Sequence, residues 1–285
     1  MRSDPHDTAI DAARLLADLP RHAVESHKYQ RGHTLVVSGG IEATGAARLA
    51  AKAALRIGSG LVTVASPASA LIVHAASLTA IMVRRFDEAA DLAALVETRH
   101  CTAAVIGPGL SPDESGRAAV AALLARPIPM VLDAGALTAF AVQPAALFDL
   151  IRGRHAPTIL TPHDGEFRRL YQDLEGPRAD IARAAAERSG AVVVLKGRGT
   201  VIAAPDGRHA IDRLGPPTLA TAGSGDVLSG LIGGLLAQGM DGFAAACAGV
   251  TLHAMAALRF GPGLIAEDLE VQLPAVLAGL CVSAP

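Results

Sequence analysis

The sequence predicts an α/β protein in which a mostly parallel central sheet is flanked by helices on both faces. Two observations carry this prediction. Short apolar runs rich in β-branched residues alternate along the chain with Ala-rich stretches of helical character, which is the pattern of parallel strands joined by crossover helices. In addition, 51% of the 285 residues are hydrophobic, enough to bury a large core.

The apolar runs before Lys196 are predicted to be the strands of the parallel sheet. They lie at Thr34–Val37, Leu61–Ala65, Ala80–Val83, Ala103–Ile106, Met130–Asp133, Thr158–Leu160 and Val192–Leu195. The helices between them are predicted at Thr44–Ile57, Pro67–Ala76, Glu88–Glu97, Glu114–Leu124, Gly165–Tyr171 and Arg178–Ser189.

After Lys196 the pattern changes. Thr200–Ala204 and His209–Ile211 flank Pro205-Asp206-Gly207, a turn sequence that predicts an antiparallel hairpin at the edge of the sheet. From Gly223 onward we expect three apolar helices, around Asp226–Ala237, Gly242–Leu258 and Ile265–Leu280. Because no linker rich in Pro, Ser or charge divides the chain, we expect one domain over residues 1–285.

Charge and composition argue against two classes of partner. The 25 Lys and Arg residues balance 27 Asp and Glu residues, and aromatic residues make up only 3% of the chain. The sequence therefore offers nucleic acid neither a basic tract for its phosphates nor aromatic rings on which its bases could stack. The apolar stretches Val227–Met240 and Gly242–Leu258 are too short and too rich in Gly, Ser and His to predict membrane spans. We expect them to be helices inside the fold.

The cysteines and the N-terminal segment indicate the compartment. Cys101, Cys247 and Cys281 lie far apart, without a CxxC pair or a metal-type spacing. Residues 1–20 are polar and acidic rather than basic and then apolar, so they do not resemble a secretory signal. These features predict a cytoplasmic protein in a reducing compartment.

Ligands of an open parallel sheet bind beyond the carboxyl ends of the strands, so the residues directly after each predicted strand are the candidates for a site. Nearly all are small or polar, and they read Ser38–Gly40, Gly107–Gly109, Asp133–Gly135, Thr161–His163 and Lys196–Gly197.

The strongest local pattern is Ala222–Gly230, a glycine-rich turn that opens a long apolar helix. The N–H groups of Gly223, Ser224 and Gly225, with the positive end of the helix dipole behind them, predict an anion hole for a phosphoryl group. The pattern is neither a Walker loop nor the GxGxxG dinucleotide fingerprint, so the phosphate site belongs to another architecture.

Asp226 lies in the same turn, where a carboxylate would repel a phosphate ligand. A carboxylate beside an anion hole can instead take the proton from a hydroxyl as that hydroxyl attacks phosphorus. The alternative is that Asp226 caps the helix, a position in which Asp is favoured. The pattern alone leaves both interpretations open.

Seven segments of the chain resemble, in the same order, the ADP-dependent NAD(P)H-hydrate dehydratase family of the ribokinase-like superfamily. They are Ser26–Gly40, Gly45–Pro67, Val105–Leu110, Val131–Leu137, Ile159–Phe167, Val193–Gly207 and Ala220–Gly230. Each motif alone is weak, whereas seven in order are specific. The resemblance implies a ribokinase-like fold.

The resemblance also implies roles for individual residues. The adenine nucleotide would be bound by Lys196, Gly197, Arg198, Gly199, Thr200 and Gly225. The hydrated nicotinamide substrate would be bound by Ala46, Gly109, His163 and Asp226, with Asp226 as the catalytic base. Without the resemblance, His163 would be interpreted as a residue at a helix start.

Two further acidic residues are candidates near the phosphates. Asp133 would lie near the phosphate and cation region by resemblance, although an Asp at the end of a strand also suits a helix N-cap. Glu166 is a candidate for the water shell of Mg²⁺, although a first-turn Glu also suits the helix dipole.

The reaction implied is ADP-dependent dehydration of the S-epimer of hydrated NADH or NADPH (NADHX or NADPHX), with Mg²⁺, AMP and phosphate. Family members often form homotetramers and some are fused to an epimerase domain, for which we expect a separate chain here. One alternative is a kinase of the same superfamily, of the hydroxymethylpyrimidine or hydroxyethylthiazole type. Another is a nucleotide-binding sensor without turnover, because Arg213–Ala222 departs from the family pattern.

Overall fold

The computed structural model describes residue 10, residues 18–20 and residues 27–282. Three of the sequence predictions involve residues outside this part of the chain. They concern the non-secretory N-terminal segment, the start of the first resembling segment at Ser26, and the full extent of the domain over residues 1–285.

In the described residues, one nine-stranded sheet organises the fold, in the order β3-β2-β1-β4-β5-β6-β7-β8-β9. The strands are β1 His33–Val37, β2 Leu61–Ser66, β3 Met82–Arg85, β4 Ala103–Ile106, β5 Met130–Leu132, β6 Thr158–Leu160, β7 Val192–Leu195, β8 Thr200–Ala203 and β9 His209–Asp212. Strands β1 to β7 are parallel, whereas β8 pairs antiparallel with β7 and with β9. The predicted parallel sheet and antiparallel edge hairpin are confirmed.

The helices follow the strands along the chain. They are α1 Thr44–Arg56, α2 Leu71–Ser77, α3 Ala89–Thr98, α4 Glu114–Leu124, α5 Ala134–Thr138, α6 Pro144–Arg152, α7 Asp164–Leu170, α8 Arg178–Ser189, α9 Ser224–Ala237, α10 Gly242–Phe260 and α11 Ala266–Val282. The sequence prediction missed α5 and α6, although Pro144 at the first position of α6 is a helix-start signal. It also placed β3 two residues too early.

Two layers of helices cover the sheet. Helices α1, α9, α10 and α11 pack on one face, and α3 to α8 pack on the other. Successive strand residues alternate between the two layers: Val36 and Val105 contact the first, and Leu35 and Ile106 the second. Because both faces are covered, the strands are apolar throughout.

Close packing of α9 on α1 fixes the position of the glycine-rich turn. A Cβ atom added to Gly230 would lie 2.1 Å from the carbonyl oxygen of Ala50, so the two helix backbones are in direct contact. One turn further along, a Cβ atom added to Gly234 would lie 2.8 Å from the carbonyl oxygen of Ala54. Because Gly230 and Gly234 let α9 lie directly against α1, the first turn of α9 is fixed at the carboxyl edge of the sheet.

Helix α10, Gly242–Phe260, is longer than the sequence indicated. With 19 residues and a mean hydropathy of 1.4 over its most apolar window, it is long and apolar enough to cross a membrane. The expectation that this stretch is too short was therefore wrong. In this fold 67% of the window is buried, because the helix packs against α9 and α11, as a core helix does.

Candidate active site

The strand order creates a crevice between β1 and β4. The chain leaves β1 towards α1 in one helix layer, and leaves β4 towards α4 in the other. The loops that follow these neighbouring strands, Ser38–Gly40 and Gly107–Gly109, lead to opposite helix layers, and they are in contact at Gly39 and Gly109. This is the topological switch point at which open α/β sheets bind ligands.

Glycine backbone lines this crevice. Gly109 has φ +73°, and its added Cβ would lie 2.7 Å from the carbonyl oxygen of Ala43. The added Cβ of Gly39 would lie 1.7 Å from the carbonyl oxygen of Gly109. The loop of Gly109 thus contacts the start of α1, one turn before Ala46, and the structure brings these two predicted substrate residues to the same crevice.

The glycine-rich turn caps α9 with Gly223, which adopts φ +83°. The N–H group of Ser224 donates to the carbonyl of Thr221 at 3.3 Å, whereas the described residues provide no acceptor for the N–H groups of Gly225 and Asp226. These two groups point along the axis of a 14-residue helix and can bind an anion. Asp226 is not the N-cap residue, so the capping interpretation does not account for it.

Lys196 and Asp133 form a buried ion pair beside this turn. The Lys196 ammonium donates to one carboxylate oxygen of Asp133 at 2.8 Å, and the Ser229 hydroxyl donates to the other at 2.6 Å. Asp133 is 1% exposed, and its side chain makes no helix-capping hydrogen bond. The next residue, Ala134, has φ +43°, a strained conformation of the kind found at functional sites.

The charges of three carboxylates act on the Lys196 ammonium. Burial alone would lower the pKa of Lys196, but the charges of Asp133, Glu166 and Asp226 outweigh it and raise the pKa. The added Cβ of Gly225 would lie 3.2 Å from the ammonium nitrogen. Lys196 therefore stays charged and lies directly beneath the glycine-rich turn.

Asp226 has the protonation behaviour of a general base. Burial, the largest cause, and the Asp133 carboxylate together raise the pKa of Asp226 to about 6, although the Lys196 ammonium lowers it. A carboxyl with this pKa is mostly ionised at pH 7 and still basic enough to accept a proton.

His163 lies at the carboxyl end of β6, beside Lys196. The backbone N–H of Lys196 donates to the Pro162 carbonyl at 2.9 Å, which joins the two loops. His163 also caps α7: its Nδ1 accepts from the Gly165 N–H at 2.9 Å, and Glu166 accepts from the His163 N–H at 2.9 Å. The histidine side chain remains 57% exposed, so it both caps the helix and faces the open edge.

The predicted nucleotide loop connects β7 to β8. Gly197 and Arg198 are exposed, and Gly199 and Thr200 are half-buried. The Thr200 hydroxyl donates to the Gly197 carbonyl at 3.2 Å and closes the loop on itself. Gly225 lies beside the ammonium of Lys196, the residue before this loop, and the charge of Asp226 acts on the same ammonium.

Sequence reasoning missed three residues that support the site. Ser229 binds Asp133, Arg178 contacts the β7–β8 loop, and His253 binds the first residue of α9. The Nε2 atom of His253 lies 3.0 Å from the Ser224 carbonyl oxygen and 3.1 Å from the Ser224 hydroxyl oxygen. A carbonyl oxygen only accepts, so we assign the ring proton to Nε2. Burial lowers the pKa of His253 to about 4, which keeps the ring neutral.

The described residues provide no complete protein cage for a metal ion, since no group of three or more His, Cys, Asp or Glu side chains converges among them. Both oxygens of Asp133 are occupied, and one oxygen of Glu166 accepts from the His163 backbone. Mg²⁺ in proteins is often held by one or two carboxylates together with substrate phosphates. In such an arrangement the substrate phosphates would supply most of the ligands, and a carboxylate of this site would contribute through a bound water.

The chain has a ribokinase-like fold, because it superimposes with a TM-score of 0.85 on a ribokinase-like superfamily protein of Enterococcus faecalis at 23% identity. It carries unused N–H groups at a helix start beside a carboxylate. The chain belongs to the NAD(P)H-hydrate dehydratase family, whose sequence profile matches residues 34–269. The family resemblance predicted from the seven motifs is thereby confirmed.

Relatives of known name agree with this membership. The ADP-dependent (S)-NAD(P)H-hydrate dehydratase of Xanthomonas campestris is 36% identical, over 96% of this chain and 97% of the relative. The bifunctional NAD(P)H-hydrate repair enzyme of Moorella thermoacetica is 39% identical over 95% of this chain but only 54% of its own length. The chain thus spans about half the length of the bifunctional relatives that it matches.

A solved structure has the same architecture. The ADP/ATP-dependent NAD(P)H-hydrate dehydratase of Bacillus subtilis, co-crystallised with ATP and Mg²⁺, superimposes with a TM-score of 0.85 at 31% identity. The match covers 97% of this chain and 100% of that one.

Proposed function

We propose that this protein catalyses the ADP-dependent dehydration of the S-epimer of hydrated NADH and NADPH, giving NAD(P)H, AMP and phosphate. Membership of the dehydratase family supports this activity. The observation that carries it is the pairing of Asp226, with a pKa of about 6, with unused N–H groups at the start of α9. A base beside an anion site suits the transfer of a phosphoryl group to a hydroxyl.

The proposal divides the site between two ligands. ADP binds at Lys196–Thr200 and Gly225, where the Lys196 ammonium and the free N–H groups suit phosphates. The hydrated nicotinamide binds in the crevice between β1 and β4, against Ala46, Gly109 and His163, with its C6 hydroxyl at Asp226. Sites on opposite sides of one base bring the two reactants together.

In the proposed mechanism the Asp226 carboxylate takes the proton of the C6 hydroxyl, and the oxygen of that hydroxyl attacks the β-phosphoryl group of ADP. A new C6–O–P bond forms, and the bond from the β-phosphorus to AMP breaks. The N–H groups of Gly225 and Asp226 stabilise the charge that develops on the phosphoryl oxygens. The ring nitrogen then expels phosphate from C6, and loss of the C5 proton restores the double bond.

Magnesium, when bound through the nucleotide phosphates, would neutralise their charge. Asp133 would contribute only to the water shell of such an ion, because Lys196 and Ser229 already bind both of its oxygens. Asp226 is left free to act as the base. Glu166 remains a weaker candidate because it caps α7.

The product pattern with hydrated NADH tests the function. The purified chain, ADP and Mg²⁺ should restore the absorbance of NADH and release AMP and phosphate in equal amounts, and parallel reactions with NADPHX and ATP measure the two preferences. A stable phosphorylated product would indicate a kinase of the superfamily. Binding of ADP without any product would indicate a sensor.

Four further features belong to the proposal. The enzyme is expected to be cytoplasmic and to assemble as a homotetramer. An epimerase would supply the S-epimer. Neither nucleic acid nor membrane takes part. Size-exclusion chromatography with light scattering measures the assembly directly.

A further inference from the structure

Arg178 connects two loops of the site without being part of either. It is the first residue of α8, and its Nη2 atom donates to the carbonyl oxygens of Leu195 at 3.1 Å and Lys196 at 3.0 Å. Its Nη1 atom donates to the carboxylate of Asp164. Three acceptors are therefore bound by one planar guanidinium, an arrangement that a lysine ammonium cannot reproduce.

The backbone of the β7–β8 loop is packed onto this guanidinium. A Cβ atom added to Gly197 would lie 2.8 Å from Nη2 of Arg178. The Arg178 side chain is 33% exposed, so it lies along the loop rather than extending into solvent. The start of the loop is thus fixed by both hydrogen bonding and contact.

Asp164 carries the link to the other side of the site. It directly follows His163, at the start of α7. The pair of Asp164 and Arg178 therefore joins the loop of His163 to the loop of Lys196, in addition to the backbone hydrogen bond from Lys196 to Pro162. Such contacts to loop carbonyls restrict the positions that the loop adopts before a ligand arrives.

We propose that Arg178 is a positioning residue that holds Lys196–Thr200 in the nucleotide-binding conformation, and that Asp164 orients it. This inference rests on the proposed function only for the assignment of that loop to the nucleotide. Arg178 acts through backbone carbonyls, and its three acceptors are already provided by the protein. Its loss should therefore weaken nucleotide binding more than it slows the chemical step.

The test compares two arginines of the same helix. Arg183 in α8 is exposed, and among the described residues it donates to Asp180 alone, at 3.3 Å, so R183Q is the matched control for R178Q. Calorimetry measures the Kd for ADP. Steady-state kinetics, with hydrated NADH as the second substrate, give kcat and the KM for ADP. We expect R178Q to raise the Kd and KM for ADP about tenfold, the effect of losing a set of charge-assisted hydrogen bonds. The kcat at saturating ADP should change less than about twofold.

Two milder variants keep the test decisive if R178Q does not fold. R178K retains the positive charge on a single ammonium group but not the planar fork, and should give an ADP affinity between those of wild type and R178Q. D164N, at an exposed position, should raise the Kd for ADP about threefold, and by less in the R178Q background.

The outcomes separate this inference from the function on which it rests. Equal ADP affinity in R178Q and R183Q, or in D164N and wild type, would overturn the positioning role and leave the dehydratase activity intact. Weaker ADP binding in R178Q alone, with no turnover of hydrated NADH by wild type, would support the role and overturn the function. A wild-type chain that does not bind ADP would overturn both.

Discussion

The ammonium of Lys196 lies 2.8 Å from a carboxylate oxygen of Asp133, and both groups are largely buried at the carboxyl edge of the sheet. The two act on Asp226 in opposite directions. The charge of Asp133 raises the pKa of Asp226, whereas that of Lys196 lowers it. The ion pair therefore adjusts the proposed base as well as stabilising the edge of the sheet.

Replacing Asp133 by Asn should make Asp226 more acidic. The substitution removes the negative charge that raises the pKa of Asp226 and leaves the opposing Lys196 ammonium in place. In wild type, kcat/KM should fall as the pH drops through about 6, because the base becomes protonated. In D133N this acid limb should move to lower pH, as measured by the pH profile of kcat/KM.

D149N is the control for this profile, because Asp149 pairs with Arg152 at the exposed surface of α6. Its acid limb should coincide with that of wild type. An acid limb in D133N at the same pH as in wild type, or at a higher one, would contradict the assignment of the limb to Asp226.

His253 should make the fold sensitive to acid. Its pKa is lowered by burial to about 4 in the folded protein, from an ordinary value near 6.5, so the unfolded chain binds more protons between these values. The stabilising contribution of the neutral ring is complete above pH 6.5 and is lost as the pH falls towards 4, by on the order of 3 kcal/mol.

H253Q retains a hydrogen-bond donor for the Ser224 carbonyl but does not titrate. Urea unfolding at pH 7.5 and pH 4.5 should therefore show a smaller loss of stability at low pH for H253Q than for wild type. H155Q, at an exposed position, should behave like wild type. An identical loss in H253Q and wild type would rule out this role of His253.

The contact between α9 and α1 should not tolerate a methyl group. G230A would place a Cβ 2.1 Å from the carbonyl oxygen of Ala50, which forces the helices apart and should cost about 1–3 kcal/mol or more. Gly45 in α1 has open space around its added Cβ, so G45A should be neutral or stabilising by about 0.5 kcal/mol. The denaturant midpoints of unfolding measure the stability of both variants. Equal stability of G230A and G45A would contradict a tight contact between α9 and α1.

Much of the fold could be predicted because both faces of the sheet are buried. The strands β4, β6 and β7 have the predicted bounds, since their continuous apolar runs end sharply at small or polar residues. Strand β3, Met82–Arg85, was displaced because it is an edge strand that includes two arginines. Its half-buried position gives a weaker apolar signal.

The site could be predicted only where its residues are neighbours in sequence. The turn Gly223–Asp226 is a local pattern and was found. The pair of Lys196 and Asp133 spans 63 residues, and that of Ser229 and Asp133 spans 96, so only the topology of the sheet brings them together. For the same reason the alternative of Asp133 as a helix cap stayed open until its partners were seen.

The central claim is that Asp226 is the base of an ADP-dependent dehydration, and the most direct test is single-turnover chemistry in D226N. Wild type should convert hydrated NADH, ADP and Mg²⁺ to NADH, AMP and phosphate in equal amounts. D226N should bind ADP like wild type, because the N–H groups of α9 are unchanged, and should lose about 10²–10⁴-fold in rate. Near wild-type release of phosphate by D226N would contradict the account.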